Sequence, residues 1–118
     1  MENQHRKIDG YRELSREEID LMNRIKTAGR ELLNLQAELV GRLSTDHEMK
    51  LSAARTSVWG QKKPNGYPYD EWSGATDECQ EFRRFIAAEP LRWAEVGKTD
   101  IQTGIMALVR AVAQPVGV

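Results

Sequence analysis

Residues 14–43 read LSREEIDLMNRIKTAGRELLNLQAELVGRL, and the spacing of the apolar residues in this run decides the fold. Leu21, Ile25, Ala28, Leu32, Leu35 and Leu39 recur at alternating steps of four and three, which lays them along one stripe of an α-helix. Met22, Leu33 and Val40 broaden that stripe on one side. Ser15 and Glu18 have the spacing of a capping box, and Leu14 with Ile19 that of the hydrophobic staple across it. The pattern predicts a helix from about 16 to about 43, roughly 42 Å long at 1.5 Å per residue. That is long for a chain of 118 residues, so the stripe should pack on another helix or on another subunit. Gly29 lies mid-helix, where glycine costs about 1 kcal/mol relative to alanine. Close approach of a second helix or of a ligand would offset it.

Beyond this helix the periodicity fades from Ser44 to Ser73. Lys62-Lys63-Pro64-Asn65-Gly66-Tyr67-Pro68-Tyr69 carries an Asn-Gly turn signal between two prolines. It reads as an ordered connection, with a short β-hairpin as one form. Trp59, Tyr67, Tyr69 and Trp72 either pin this segment to the helices or offer flat faces on which bases stack. Thr76 or Asp77 then opens a second helix carrying Cys79, Phe82, Phe85 and Ile86. It should end before Pro90, because the residue ahead of a proline is pushed out of helical conformation.

A short helical turn through Trp93 leads to Gly97-Lys98-Thr99, a triplet that invites a phosphate-loop reading. That loop needs a second glycine five residues before Gly97, and the position holds Arg92. Thr99 and Gln102 instead fit a capping box, with Gly97-Lys98 as the turn before a last helix from Asp100 to about Ala113. A helix N-terminus beside a lysine is a place for an anion. Ile101, Ile105, Leu108 and Val112 share one face of that helix, and Pro115 ends it.

Forty per cent hydrophobic and 30% charged residues suit a helical protein of one domain. A net charge of −1 argues against DNA or RNA polymers and anionic membranes as partners, since those need a basic excess to displace counterions. A small anion in a local basic pocket is still allowed. No apolar run approaches a membrane span, and none follows the opening MENQHRK. Cys79 is the one cysteine, so no internal disulfide forms and a reducing cytoplasm is the expected compartment. With His5 and His47 as the two histidines, no set of metal ligands assembles, and no cofactor motif is present. Neither a paired acid and base nor a nucleophile motif stands out. The chemistry that remains is binding. Tyr11, just before the first helix, offers a ring to stack on a base, and Lys26 an ammonium to meet a phosphate. Taken alone, Tyr11 could equally pack over the helix start, and Lys26 pair with a nearby carboxylate.

The run from His5 to Ser15 leading into the long helix, together with Arg92-Trp93 and the stretch from Gly97 to Pro115, resembles the phage anti-CBASS sponges that share a helical hairpin domain with some anti-Thoeris sponges. The resemblance covers residues 4 to 43 and about 79 to 115. It implies an all-α fold, a long antiparallel helical hairpin that assembles as a homo-oligomer, a hexamer in known relatives. Such proteins hold the cyclic oligonucleotide messengers of infected bacteria intact, in the host cytoplasm, so that the downstream effector stays off. The resemblance assigns cyclic dinucleotide binding to Tyr11 and Lys26, and cyclic trinucleotide binding to Arg92 with Thr27 as a neighbour. No catalytic residue and no metal is implied. Residues of about 46–75 make the chain longer than the compact members, and read as an aromatic-rich central insertion in a single domain over residues 1–118.

Two other classes of function remain open at this level. A nuclease cutting the same messengers would release linear products. A helical oligomeric adaptor would bind a host protein and no small molecule.

Overall fold

The capping box at Ser15 starts the first helix as the sequence requires. In a computed structural model describing residues 12–116, the Ser15 amide donates to Glu18 Oε1 at 2.9 Å, and the Glu18 amide donates to Ser15 Oγ at 3.1 Å. Two of the orphan donors at the helix start are thereby satisfied. The helix, α1, then runs unbroken over Arg16–Ser57, 42 residues. α2 spans Asp77–Ala88 and α3 spans Pro90–Ala113. Among the described residues there is no β-strand; an isolated antiparallel bridge joins Lys62 and Pro68.

Two boundaries differ from the sequence expectation. α1 does not stop near residue 43. Its inward positions continue as His47, Lys50, Leu51, Ala54 and Val58, still at helical spacing but with side chains that disguise the stripe. The second difference is at Gly97-Lys98-Thr99, which lies inside α3 and is not a turn. Glu89 adopts a left-handed conformation (φ 50°, ψ 50°) that closes α2, and Pro90 follows at the first position of α3, where its missing N–H and fixed φ are tolerated. With the helix already under way, the amides after Thr99 are taken up by carbonyls four residues back. No helix N-terminus, and so no anion site of that kind, exists there.

The chain divides into two compact units, one of Met1–Gln36 with Gly97–Val118 and one of Ala37–Val96. In the first, α1 and α3 run antiparallel: Arg12 Nη2 donates to the Val112 carbonyl at 2.8 Å, while Gly29, further along α1, faces Ile105, further back on α3. Gly29 is buried, and Met22, Ile25 and Leu33 on its face are half-buried. The expected stripe packs within the chain only along one edge, at Ile25 and the broadening residues Met22 and Leu33. Leu21, Leu32 and Leu35 are 45%, 49% and 60% exposed.

In the second unit, Ala54, Val58, Cys79 and Phe82 form a small core with Leu51, Tyr69 and Ile86 against it. Thr76 is the N-cap of α2, accepting from the Cys79 amide at 3.1 Å. The connection from Trp59 to Ser73 is ordered by its own polar groups. The Gly66 amide donates to the Lys63 carbonyl at 2.9 Å, closing a turn with Pro64 and Asn65 at its centre and Gly66 at φ 87°. Glu71, 8% exposed, accepts from Arg55 Nη2 at 3.0 Å and ties the connection back to α1.

A methyl group at Gly29 would collide with Ile105 Cδ1 and stand 2.6 Å from its Cγ1, whereas at Gly41, in the same helix, it would meet nothing within 4 Å. Gly29→Ala should therefore lower stability by about 1 kcal/mol after its helix-propensity gain is counted. Gly41→Ala should raise it by up to about 1 kcal/mol. Urea unfolding followed by circular dichroism measures both, and two shifts of the same sign would contradict the close packing at Gly29.

Candidate functional site

α1 displays its polar residues in sectors. Arg16, Arg24 and Arg42 each have a carboxylate three or four residues away along the helix, within reach of an exposed ion pair. Lys26 does not. The residues at those offsets are Met22, Asn23, Gly29 and Arg30, and Lys26 is exposed without a hydrogen bond or ion pair to any described residue. Thr27 beside it is exposed as well. The structure thus presents the Lys26 ammonium unneutralised, as an anion-binding role requires.

Tyr11 lies outside the described residues. The residue after it, Arg12, is held firmly: its guanidinium is paired with the Glu18 carboxylate, Nη1 at 3.2 Å from Oε1, and donates to the Val112 carbonyl. The hydrogen bond from Arg12, and after it the one from the Ser15 amide, bring the Glu18 carboxyl down from 4.5 to about 2. The capping carboxylate thus fixes the point at which the chain enters α1.

Arg92 belongs to the second unit, on the first turns of α3. It is not free. Its Nη1 stands 3.4 Å from Glu89 Oε2, and its guanidinium lies over the Trp93 ring at 5.0 Å. An anion at Arg92 must compete with an exposed ion pair, a weak competitor. Of the four residues the resemblance pointed to, Lys26 and Thr27 are neighbours on α1, Arg92 is in the other unit, and Tyr11 is not described.

The second unit also holds two surface clefts that sequence reasoning did not find. One, of about 490 Å³, is lined by Asp46, Lys50, Asp77, Glu78 and Glu81. The other, of about 530 Å³, lies between Arg55, Trp59, Pro68, Tyr69 and Glu71. Trp59 is 86% exposed and Tyr67 69%, so these two aromatics do not pin the connection to the helices. Trp72 does so in part, edge-on to Phe82 at 5.2 Å. Among the described residues no group of three His, Cys, Asp or Glu could hold a metal, and no helix is long and apolar enough to cross a membrane.

No protein-family model matches the chain. The chain is 59% identical over 117 residues to anti-CBASS protein 2 of Pseudomonas phage JBD67, an alignment covering 99% of both sequences. The chain belongs to the anti-CBASS protein 2 family. Because the alignment covers nearly all of both chains, the segment from about 46 to 75 has a counterpart in that anti-CBASS relative. The family therefore includes chains that carry this segment.

The Arg12–Glu18 pair generates a pH dependence. Glu18 has a folded-state pKa below its ordinary value, so its contribution is present above about 4.5 and is lost as pH falls towards about 2. The parent protein should melt at a higher temperature than Glu18→Gln at neutral pH, and the two curves should converge below pH 4.5. A gap in melting temperature that stays constant down to pH 2 would contradict the pairing.

Proposed function

We propose that this protein is a phage sponge. It binds cyclic di- and trinucleotide immune messengers in the cytoplasm of the infected host and holds them uncleaved, so that the CBASS effector is not activated. The observation that carries this reading is the similarity to a phage anti-CBASS protein over nearly the whole chain. Inhibition by sequestration needs affinity and no reaction, and the parts at hand are binding parts. Lys26 is a desirable phosphate partner because nothing on its own helix neutralises it. Tyr11, one residue ahead of the anchored Arg12, is assigned to stack on a base. Arg92 and Thr27 are assigned to the cyclic trinucleotide.

Self-association completes the proposal. Leu21, Leu32 and Leu35 form an open apolar stripe on α1, and such a stripe on a small domain is more stable covered by a second copy than left in water. The proposed assembly is a homo-oligomer, a hexamer by the resemblance, with ligand held between N-terminal segments of neighbouring protomers.

The test is direct. The protein is mixed with cyclic di- and trinucleotides, retained on a size filter, washed and heat-denatured, and the released nucleotide is identified. Intact messenger is expected, and a hundredfold excess of ligand over Kd should stabilise the fold by about 2.7 kcal/mol. The Tyr11→Ala, Lys26→Ala double variant should remain folded and bind cyclic dinucleotide about 10- to 100-fold more weakly, as the loss of a charge-assisted hydrogen bond implies. Linear fragments would replace sequestration by hydrolysis, and no retained nucleotide would favour a protein partner.

A further inference from the structure

Arg30 shares Lys26's situation. It lies one turn further along α1, exposed, with Lys26, Thr27, Leu33 and Asn34 at the helical offsets where a carboxylate would sit. It has no hydrogen bond or ion pair to any described residue. Of the other cations of α1, Arg16 and Arg24 both have Asp20 four residues away in sequence, while Arg42 lies 3.8 Å from Asp46, Lys50 lies 2.9 Å from Glu81, and Arg55 lies 3.0 Å from Glu71. Two like charges four residues apart on one helix repel each other. Here the repulsion is left unrelieved.

The residues around the pair are of one kind. Asn23, Thr27 and Asn34 are exposed on the same side of α1, at offsets of three, four and seven that bring them together with Lys26 and Arg30. The carboxylates of this stretch border the polar part of this side: Asp20 lies three residues from Asn23, Glu31 four from Thr27 and Glu38 four from Asn34, but none lies three or four residues from Lys26 or Arg30. Lys26 and Arg30 thus have each other, neutral amides, a hydroxyl and apolar residues at their own helical offsets, and no acid. That composition fits a ligand with more than one negative charge and a rim of hydrogen-bonding groups.

We propose that Arg30 is a second phosphate-binding residue of the cyclic dinucleotide site, acting beside Lys26 to neutralise the two charges of a cyclic diphosphodiester. This rests on the sponge reading above. Lys26 contributes a point charge, and Arg30 a planar fork that donates two parallel hydrogen bonds to one phosphate. Asn23 and Asn34 supply donors and acceptors for the ribose or base edges. The ligand removes the repulsion between the two cations, so part of the binding energy comes from relief of a strain present in the empty protein.

Titration calorimetry with cyclic di-AMP, cyclic di-GMP and cyclic GMP–AMP tests this on the full chain, alongside the melting temperature of each ligand-free variant. Arg30→Ala should weaken binding at least tenfold while the ligand-free protein melts no lower than the parent. Arg30→Lys, which keeps the charge and loses the fork, should fall between them. If Arg30→Ala binds within twofold of the parent while Lys26→Ala loses binding, Arg30 is not a ligand contact and the sponge reading survives. If the parent itself binds none of the three, the cyclic dinucleotide site falls and Arg30's place in it falls too, while retention of a cyclic trinucleotide on the size filter would keep the sponge reading. A parallel loss of melting temperature and affinity in Arg30→Ala, shared by Arg30→Lys, would assign Arg30 to the fold instead.

Discussion

The absent side chain at Gly29 determines how α1 is rotated within its unit. Ile105 occupies the space that a methyl group at Gly29 would need, so the helix can approach α3 closely only with that position turned inward. Everything else on α1 follows from this rotation, because a rigid helix fixes all its faces at once. Met22, Ile25 and Leu33 come inward with Gly29, and Leu21, Leu32 and Leu35 are turned out to the side. Lys26 and Arg30 are carried to an exposed face together. A glycine that is costly in a helix interior thereby sets an exposed apolar face and a cationic face in one step.

The second unit is organised differently, by polar groups taken out of water in pairs. Its buried apolar set is small, and the connection between α1 and α2 is held by Glu71 with Arg55, by Arg83 donating to the carbonyls of Glu71 and Gly74 at 3.0 and 2.8 Å, and by the Asp70 carboxylate accepting from the Trp72 and Ser73 amides. Among these the Glu71 carboxylate is the buried group, which its pairing with Arg55 keeps from being buried at a loss. No side-chain polar atom buried among the described residues lacks a partner. The connection can therefore be ordered while leaving Trp59 and Tyr67 in solvent.

What the sequence disclosed was what is decided within four residues. The Ser15–Glu18 box, the start of α2 at Thr76 or Asp77 and its end ahead of Pro90 are local; the first and last appear as read, and of the two starts offered Thr76 is the cap. The second half of α1 was obscure because its inward positions are filled by His47, Lys50 and Ala54. Lys50 is acceptable there only because Glu81, from α2, meets its ammonium, which also lies over the Phe85 ring. No window of sequence contains that information. The start of α3 was misplaced for a related reason: Thr99 and Gln102 are as compatible with a helix interior as with a capping box, and the deciding feature was the left-handed Glu89 ahead of Pro90. Lys26 was legible as a candidate through resemblance. The physical reason for choosing it, the lack of any carboxylate at helical offsets, was also in the sequence and applies equally to Arg30.

Under the sponge proposal, the placement of charge on α1 bears on how a protein with net charge −1 would bind a polyanion-derived ligand without binding the polyanion. A nucleic-acid polymer follows a long basic track and draws most of its affinity from many phosphates. Here Lys26 and Arg30 lie within about one turn of α1 and are bordered on the same helix by Asp20, Glu31 and Glu38. A strand extending past that turn would run along carboxylates within a Debye length. A ring of two or three nucleotides has no such extension. On that proposal, compactness of the ligand would be selected by where the negative charges of the protein lie, and the short reach between Lys26 and Arg30 would set how much phosphate can be held.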